Sequence, residues 1–221
     1  MRIAILGGTG DIGEGLALRW GADTDHEVVV GSRDAERAAA AAADYRDRLA
    51  DRGHDATLDA AANADAVGRA DVVVLAVPPY HVSDTVEAVA DDLSDGAVVV
   101  SPATGMKRDE DGFHYHRPGA GSVTRVAADA APDGVPVVGC FHNLAAGRLA
   151  DLDADLGIDT LVVADDEEAR ATVTELAESI DGLRALNAGS IANAAEVESL
   201  TPLLINVAAN NSLHDLGVRF D

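Results

Sequence analysis

Along its 221 residues the chain alternates short aliphatic runs with longer stretches of mixed apolar and polar positions. Residues 3–6, 28–30, 72–77 and 97–100 are unbroken aliphatic runs, the pattern of strands buried on both faces. Between them, residues 11–20, 35–52 and 83–93 have the length and composition of helices, the second through the alanine run 38–43. This alternation predicts an α/β fold with a mostly parallel sheet and helices on both sides. Further strands are expected at 135–140 and 160–163, an acid-started helix at 166–180, and a short apolar run at 183–186. Residues 102–118 carry charge and glycine without a period and read as a long surface loop, long enough to suggest a functional element such as a lid. Thr201-Pro202 predicts an N-cap followed by proline at the first helical position. It opens a largely apolar C-terminal helix, from which a homodimer is expected.

Composition narrows the function classes. Apolar residues make up 48% of the chain and aromatics only 3%, so aliphatic side chains and alanine must supply the core. Sixteen Lys and Arg against 39 Asp and Glu leave a net charge of −23, a field that repels nucleic acid and anionic lipid. Lys107 is the single lysine. A carboxylate-rich, lysine-poor surface repels itself in dilute buffer and is screened in molar salt, so a halophilic source is expected. Cys140 is the one cysteine, which excludes an internal disulfide and a thiolate metal cage and suits a small buried hydrophobe. Four apolar residues before Gly7-Gly8 are too few for a signal-peptide core, and no apolar run reaches membrane-span length; a soluble, cytoplasmic protein is expected.

The first strand runs into Gly7-Gly8-Thr9-Gly10-Asp11-Ile12-Gly13, in which Gly8, Gly10 and Gly13 match G-x-G-x-x-G between a strand and a helix. In this context the first glycine permits the tight turn, the second lets backbone approach a pyrophosphate, and the third allows close helix–strand packing. The helix N-terminus adds unpaired N–H groups and partial positive charge. No Lys-Ser/Thr pair follows, so nucleoside triphosphatase chemistry falls away. The second strand leads into Gly31-Ser32-Arg33, where an NAD site usually carries an acid for the ribose hydroxyls. Ser32 and Arg33, with Arg37 one helical turn later, suit the 2′-phosphate of NADP instead. The fold class expected is therefore a Rossmann-type, doubly wound α/β domain at 1–141, with a small helical and mixed lobe at 142–221 sharing its core.

Other candidates are His114 and His116 around Tyr115, a pair without an evident third metal ligand, and His81 and His142, which follow apolar strands. Neither a serine-hydrolase elbow nor a zincin motif is present, and no metal site is expected. An NADP-dependent reductase of a small carbonyl or imine, and a catalytically silent NADP-binding module, are both open at this point.

Residues 7–13, 31–33, 179–184 and Val197-Glu198-Ser199-Leu200-Thr201-Pro202-Leu203 resemble the NADPH:F-420 oxidoreductases of archaea and bacteria, over essentially the whole chain. The resemblance implies direct hydride transfer between NADP and the 8-hydroxy-5-deazaflavin coenzyme F-420, both small-molecule partners. It implies dinucleotide contacts at Thr9, Gly10, Asp11 and Ile12 and 2′-phosphate contacts at Ser32, Arg33 and Arg37. It also implies that Val77, His81, Thr104, His142, Ala146, Ser199, Thr201 and Leu216 line the nicotinamide and deazaflavin. His142, Ser199 and Thr201 are then the candidate deazaflavin contacts. Two positions depart from the family pattern: Ala195 stands where a basic residue is usual, and Pro79-Tyr80 where a bulky aromatic follows the strand.

Overall fold

The computed structural model describes residues 1–221. In chain order the elements are β1 (Arg2–Leu6), α1 (Asp11–Asp23), β2 (Glu27–Ser32), α2 (Ala35–Ala50), β3 (Leu58–Ala62), α3 (Asn63–Val67), β4 (Val72–Leu75), α4 (Val82–Val89), β5 (Val98–Ser101), β6 (Met106–Asp109), β7 (Gly112–Tyr115), α5 (Val123–Ala130), β8 (Val137–Gly139), α6 (Ala146–Ala150), β9 (Ile158–Ala164), α7 (Glu167–Glu178), β10 (Leu183–Asn187), α8 (Ala194–Glu198) and α9 (Leu200–Asn211). Eight strands form one sheet in the order β10-β9-β8-β5-β4-β1-β2-β3, parallel except where β9 runs antiparallel to β8. The order reverses beside β1, so the loops after β1 and β4 diverge there and open a crevice at the carboxyl edge.

Alternation along the buried strands builds the two layers. Ile3, Ile5, Val28, Val30, Val72 and Val74 point to one face, where α1, α2 and α7 cover them and Trp20 meets Phe141 edge-on with ring centroids 5.8 Å apart. Ala4, Leu6, Val29, Val73 and Leu75 point to the other face, under α3, α4, α5 and α8. The sheet runs unbroken past residue 141, since β9 and β10 extend it. Leu149, Ile158, Val173 and Leu183 pack in the same apolar layer as Ile3 and Val28.

Arg19 of α1 is buried and donates to the carbonyls of Arg148, Leu149, Asp151 and Ala154, around the C-terminal end of α6. Helix α9 belongs to neither apolar layer: of its twelve residues only Pro202 is buried.

The structure corrects several sequence expectations. The strand expected at 72–77 ends at Leu75, because Ala76 and Val77 turn into the crevice. The loop expected at 102–118 contains the β6–β7 hairpin, turned by Glu110-Asp111 ahead of Gly112 at φ +121°. Its strands are exposed or half-buried and carry no apolar run to reveal them. Nor is it a free lid, since Asn206 bonds both the N–H and the carbonyl of Phe113, and Tyr115 is tied to Glu198. Thr201 is not an N-cap: α8 runs almost straight into α9, Ser199 between them keeps a helical φ of −67°, and Thr201 is inside the helix. Strand β3 and helices α3, α5 and α6 lie outside the elements expected from the pattern.

Candidate functional site

The glycine loop forms the crevice floor. Gly7 takes the left-handed φ of +78°, so the tight turn falls there rather than on Gly8. At Gly13 a Cβ would stand 2.7 Å from the Gly8 Cα, so only glycine lets α1 approach the turn. Tyr45 of α2 holds the loop from behind by donating to the Gly8 carbonyl at 3.0 Å. Glu14 is the first α1 residue whose N–H bonds back, to Gly10 at 2.8 Å; Asp11, Ile12 and Gly13 keep theirs free at the helix N-terminus.

A cleft of about 690 Å³ and another of about 610 Å³ account for most of the predicted site residues. The smaller follows the ends of β1 to β4 and is lined by Gly7, Thr9, Gly10, Ser32, Arg33, Arg37, Asn63, Val77 and His81, with Pro78 and Thr85. Arg33 and Arg37 are exposed and make no ion pair, in a chain with a large carboxylate excess. The acid beside them, Asp34, is committed to capping α2, its carboxylate accepting from the N–H groups of Glu36 and Arg37. Only its Oδ1 is engaged there, and the two unpaired guanidinium groups beside it make this rim favour an added anion. Tyr80, largely exposed, packs on His81 at 4.5 Å between ring centroids.

The larger cleft is mostly apolar. Residues 143–147 after β8 form one wall, and Thr201, Leu204, Ile205 and Ala208 of α9 with Leu213 and Leu216 of the tail form the other. Ala146, Thr201 and Leu216 meet here. Thr104 is buried and bonds Thr201, Oγ1 to Oγ1 at 3.3 Å, linking the loop after β5 to α9. Thr201 donates its one hydroxyl proton to the His142 carbonyl at 2.7 Å, so it accepts from Thr104. Ser199 likewise donates to the Glu196 carbonyl at 2.7 Å. Toward a ligand the Thr201 hydroxyl can act as an acceptor without breaking these bonds, whereas Ser199 lines neither cleft.

His142 enters this wall through its backbone, not its ring. The imidazole is fully buried, with Nε2 3.3 Å from the Thr124 hydroxyl and 4.0 Å from Glu198 Oε1, and Nδ1 is without a partner. Burial pushes its pKa down to about 3, so it is neutral at pH 7. Phe141 before it takes φ +67°, held by the Thr160 hydroxyl on its N–H at 3.0 Å. A left-handed, non-glycine residue costs about 1–3 kcal/mol and is typical of functional loops. Here it turns the chain so that the His142 carbonyl faces α9.

His114 bonds exposed Asp109 at 2.9 Å, and no group of three His, Cys, Asp or Glu side chains gathers into a metal cage. Cys140 is buried, and burial pushes its thiol up to about 12. Sequence reasoning missed Asn63, Asp34 and Glu198. Asn63 becomes part of the crevice only because β3 pairs beside β2, placing Ala62 opposite Ser32. Glu198 stands out only as part of the Val197–Leu203 segment, and nothing local shows that Tyr115, Val123 and Thr124 surround it.

Residues 2–105 match the family profile described as NADP oxidoreductase, coenzyme F420-dependent. The F420-dependent NADP reductase of Methanothermobacter thermautotrophicus is 38% identical over 225 aligned positions, covering 99% of this chain and 94% of that protein. The one from Methanocaldococcus jannaschii is 36% identical, with 99% and 97% covered. A crystal structure from Arthrobacter sp. FB24, assigned as an F420-dependent NADP-reductase, superposes with a TM-score of 0.81 at 24% identity, covering 100% of this chain and 99% of its own, and bears on the fold alone. The glycine loop, the unpaired arginines and the Thr201 wall thus lie on a chain alike end to end with those archaeal enzymes, and it belongs to the F420-dependent NADP reductase family.

Proposed function

We propose that this chain passes a hydride directly between NADP(H) and the deazaflavin coenzyme F-420, each in its own cleft at the carboxyl edge of the sheet. What carries the reading is the pairing of an arginine-rimmed cleft behind a glycine loop with an apolar cleft walled by Thr201, in a chain 99% covered by relatives of that name. Residues 1–141 would hold the nucleotide, and residues 142–221 would complete the deazaflavin side.

When bound, the two coenzymes supply the hydride donor and acceptor carbons themselves, so the protein's part is positioning and exclusion of water. The free N–H groups of Asp11, Ile12 and Gly13 would face the pyrophosphate, with Thr9 and Gly10 beneath it. Ser32, Arg33 and Arg37 would hold the 2′-phosphate, while Val77 and His81 border the nicotinamide end. Ala146 and Gly147 keep one wall of the apolar cleft shallow, leaving room for flat rings to approach. Thr201 would accept a hydrogen bond from the polar edge of the deazaflavin. Neither His142 nor Tyr115 presents a free proton to a cleft, and it is the names of the relatives that favour this reading over a carbonyl or imine reductase.

Purified protein with NADPH and oxidised F-420 should bleach the deazaflavin absorbance. Initial rates should give intersecting, sequential patterns; parallel lines would contradict direct transfer.

Two finer readings accompany this one. Leu203 and Val207 of α9 are 55% and 39% exposed, and the helix carries no charged residue in this acidic chain, so a second copy is the proposed cover. Light scattering should return a dimer mass, reduced by Leu203→Glu. The surface is proposed to be adapted to the salt-rich cytoplasm of a halophile, with no nucleic-acid partner. No helix is long and apolar enough to cross a membrane. The melting temperature should rise from millimolar to molar potassium chloride, and a flat or falling trend would remove that reading.

A further inference from the structure

Glu198 is the one acidic side chain with no exposed surface that serves no role in the mechanism above. Its carboxylate accepts four hydrogen bonds. Val123 N–H at 3.0 Å and the Tyr115 hydroxyl at 2.8 Å reach Oε2, while Thr124 N–H at 2.9 Å and the Thr124 hydroxyl at 3.0 Å reach Oε1. Two of these donors are N–H groups in the first turn of α5, where the helix dipole also favours a negative charge. Burial raises its pKa, and the four donors act in the opposite direction. A carboxylate this fully satisfied joins the β6–β7 hairpin, α5 and α8 at one point, with the His142 ring beside it.

Its position in the chain gives that point its consequence. Helix α8 is seated in the core by Ala194 and Val197, and Glu198 is its last residue. Beyond it, α9 has no place in either apolar layer and is steered mainly by polar bonds. One of them, from Thr201 to the His142 carbonyl, forms three residues later. Both ends of that bond hang from the Glu198 cluster: Thr201 through the start of α9, and His142 through Thr124.

We propose that Glu198 is a positioning residue for the deazaflavin side of the site, setting the start of α9 so that Thr201 stays between Thr104 and the His142 carbonyl. The inference rests on the reading that the α9 cleft takes the deazaflavin. In Glu198→Gln the amide nitrogen must confront a backbone N–H of α5, so one of the four bonds is replaced by a donor–donor contact.

The test compares Glu198→Gln, the milder Tyr115→Phe, and wild type by amide hydrogen exchange over residues 199–206 and by steady-state kinetics with each coenzyme varied. Faster exchange at the start of α9, a roughly tenfold higher KM for F-420 and an unchanged KM for NADPH are expected for Glu198→Gln. Tyr115→Phe should shift both readouts in the same direction by less. Glu198→Asp, which restores a carboxylate, should recover part of the F-420 affinity. Unchanged exchange and unchanged kinetics would overturn the role of Glu198. Faster exchange with an unchanged KM for F-420 would instead overturn the assignment of the α9 cleft on which the inference rests. Equal rises in both KM values would mark a general packing defect and also refute the proposal. Should Glu198→Gln fail to fold, Tyr115→Phe carries the same three outcomes.

Discussion

The arginine-rimmed cleft follows four strands that lie side by side, β4, β1, β2 and β3, and most of its lining comes from the segments just after them, with Asp84, Thr85, Ala88 and Val89 added from α4. The apolar cleft draws on residues 143–147 and on residues 201–216, which meet only through tertiary contacts. Its outer wall, α9, sits outside both apolar layers and is steered by side-chain hydrogen bonds from Thr201 and Asn206. A coenzyme bound in the first cleft meets a surface fixed by core packing, which deforms little. One bound in the second depends on a few polar links, each contributing only about 0.5–1.5 kcal/mol. The two clefts should therefore fail by different routes.

The largest expected separation is at the arginines. Hydrogen bonds to charged groups contribute about 1.5–3 kcal/mol each, less where exposed and salt-screened. Arg33→Ala with Arg37→Ala should raise the KM for NADPH by roughly 100-fold, leave NADH use nearly unchanged and leave the KM for F-420 within roughly twofold. Equal losses with NADPH and NADH would remove the 2′-phosphate role. Next in size is Thr201→Val, which keeps the shape but deletes the bond to the His142 carbonyl. It should lower kcat/KM for F-420 roughly tenfold while NADPH titrations stay unchanged; an unaffected enzyme would detach α9 from the site.

A smaller effect is expected at the tail that carries Leu216. Buried Asp159 accepts from Arg184 at 2.7 and 2.8 Å and from the Phe220 N–H at 2.7 Å, while its N–H bonds the Val218 carbonyl at 2.7 Å. The hydrogen-bonded Arg184 guanidinium, aided by the Phe220 N–H, holds the Asp159 carboxyl below the usual carboxylate range. A depressed carboxylate stabilises the fold above its unfolded pKa of about 3.9 and loses that contribution as pH falls through the folded value. Asp159→Asn should thus melt below wild type at pH 7, and the gap should close as pH drops below about 4. A gap independent of pH would show that packing, not charge, pins the tail. At pH 7 the same variant should raise the KM for F-420 a few-fold without touching NADPH.

How legible each cleft was follows from how it is built. The Gly8, Gly10 and Gly13 spacing between an aliphatic run and a helix declares a nucleotide loop because strand, turn and helix are consecutive in the chain. Arg33 and Arg37 could be read because no acid takes their place after β2, although the capping role of Asp34 needed coordinates. The hairpin at Met106–Asp109 and Gly112–Tyr115 escaped notice because its stability comes from Asn206 and Glu198, far along the chain. Thr201-Pro202 looked like a helix start because its local chemistry suits one. The continuous α8–α9 path prevailed instead, once Val197 was buried and Glu198 was bound by α5.

By itself the sequence determined the doubly wound sheet, the phosphate loop and the choice of NADP. These depend on short-range patterns: unbroken aliphatic runs in buried strands, glycine where a Cβ cannot fit, and cation placement after a given strand. Only the tertiary structure decided that His142 offers its carbonyl rather than its ring, that Thr201 has already spent its proton, and that Glu198 stands behind both. Each of those outcomes depends on which distant donor reaches a buried acceptor, and hydrogen-bond partners separated by 59 to 83 residues leave no periodic trace in the chain.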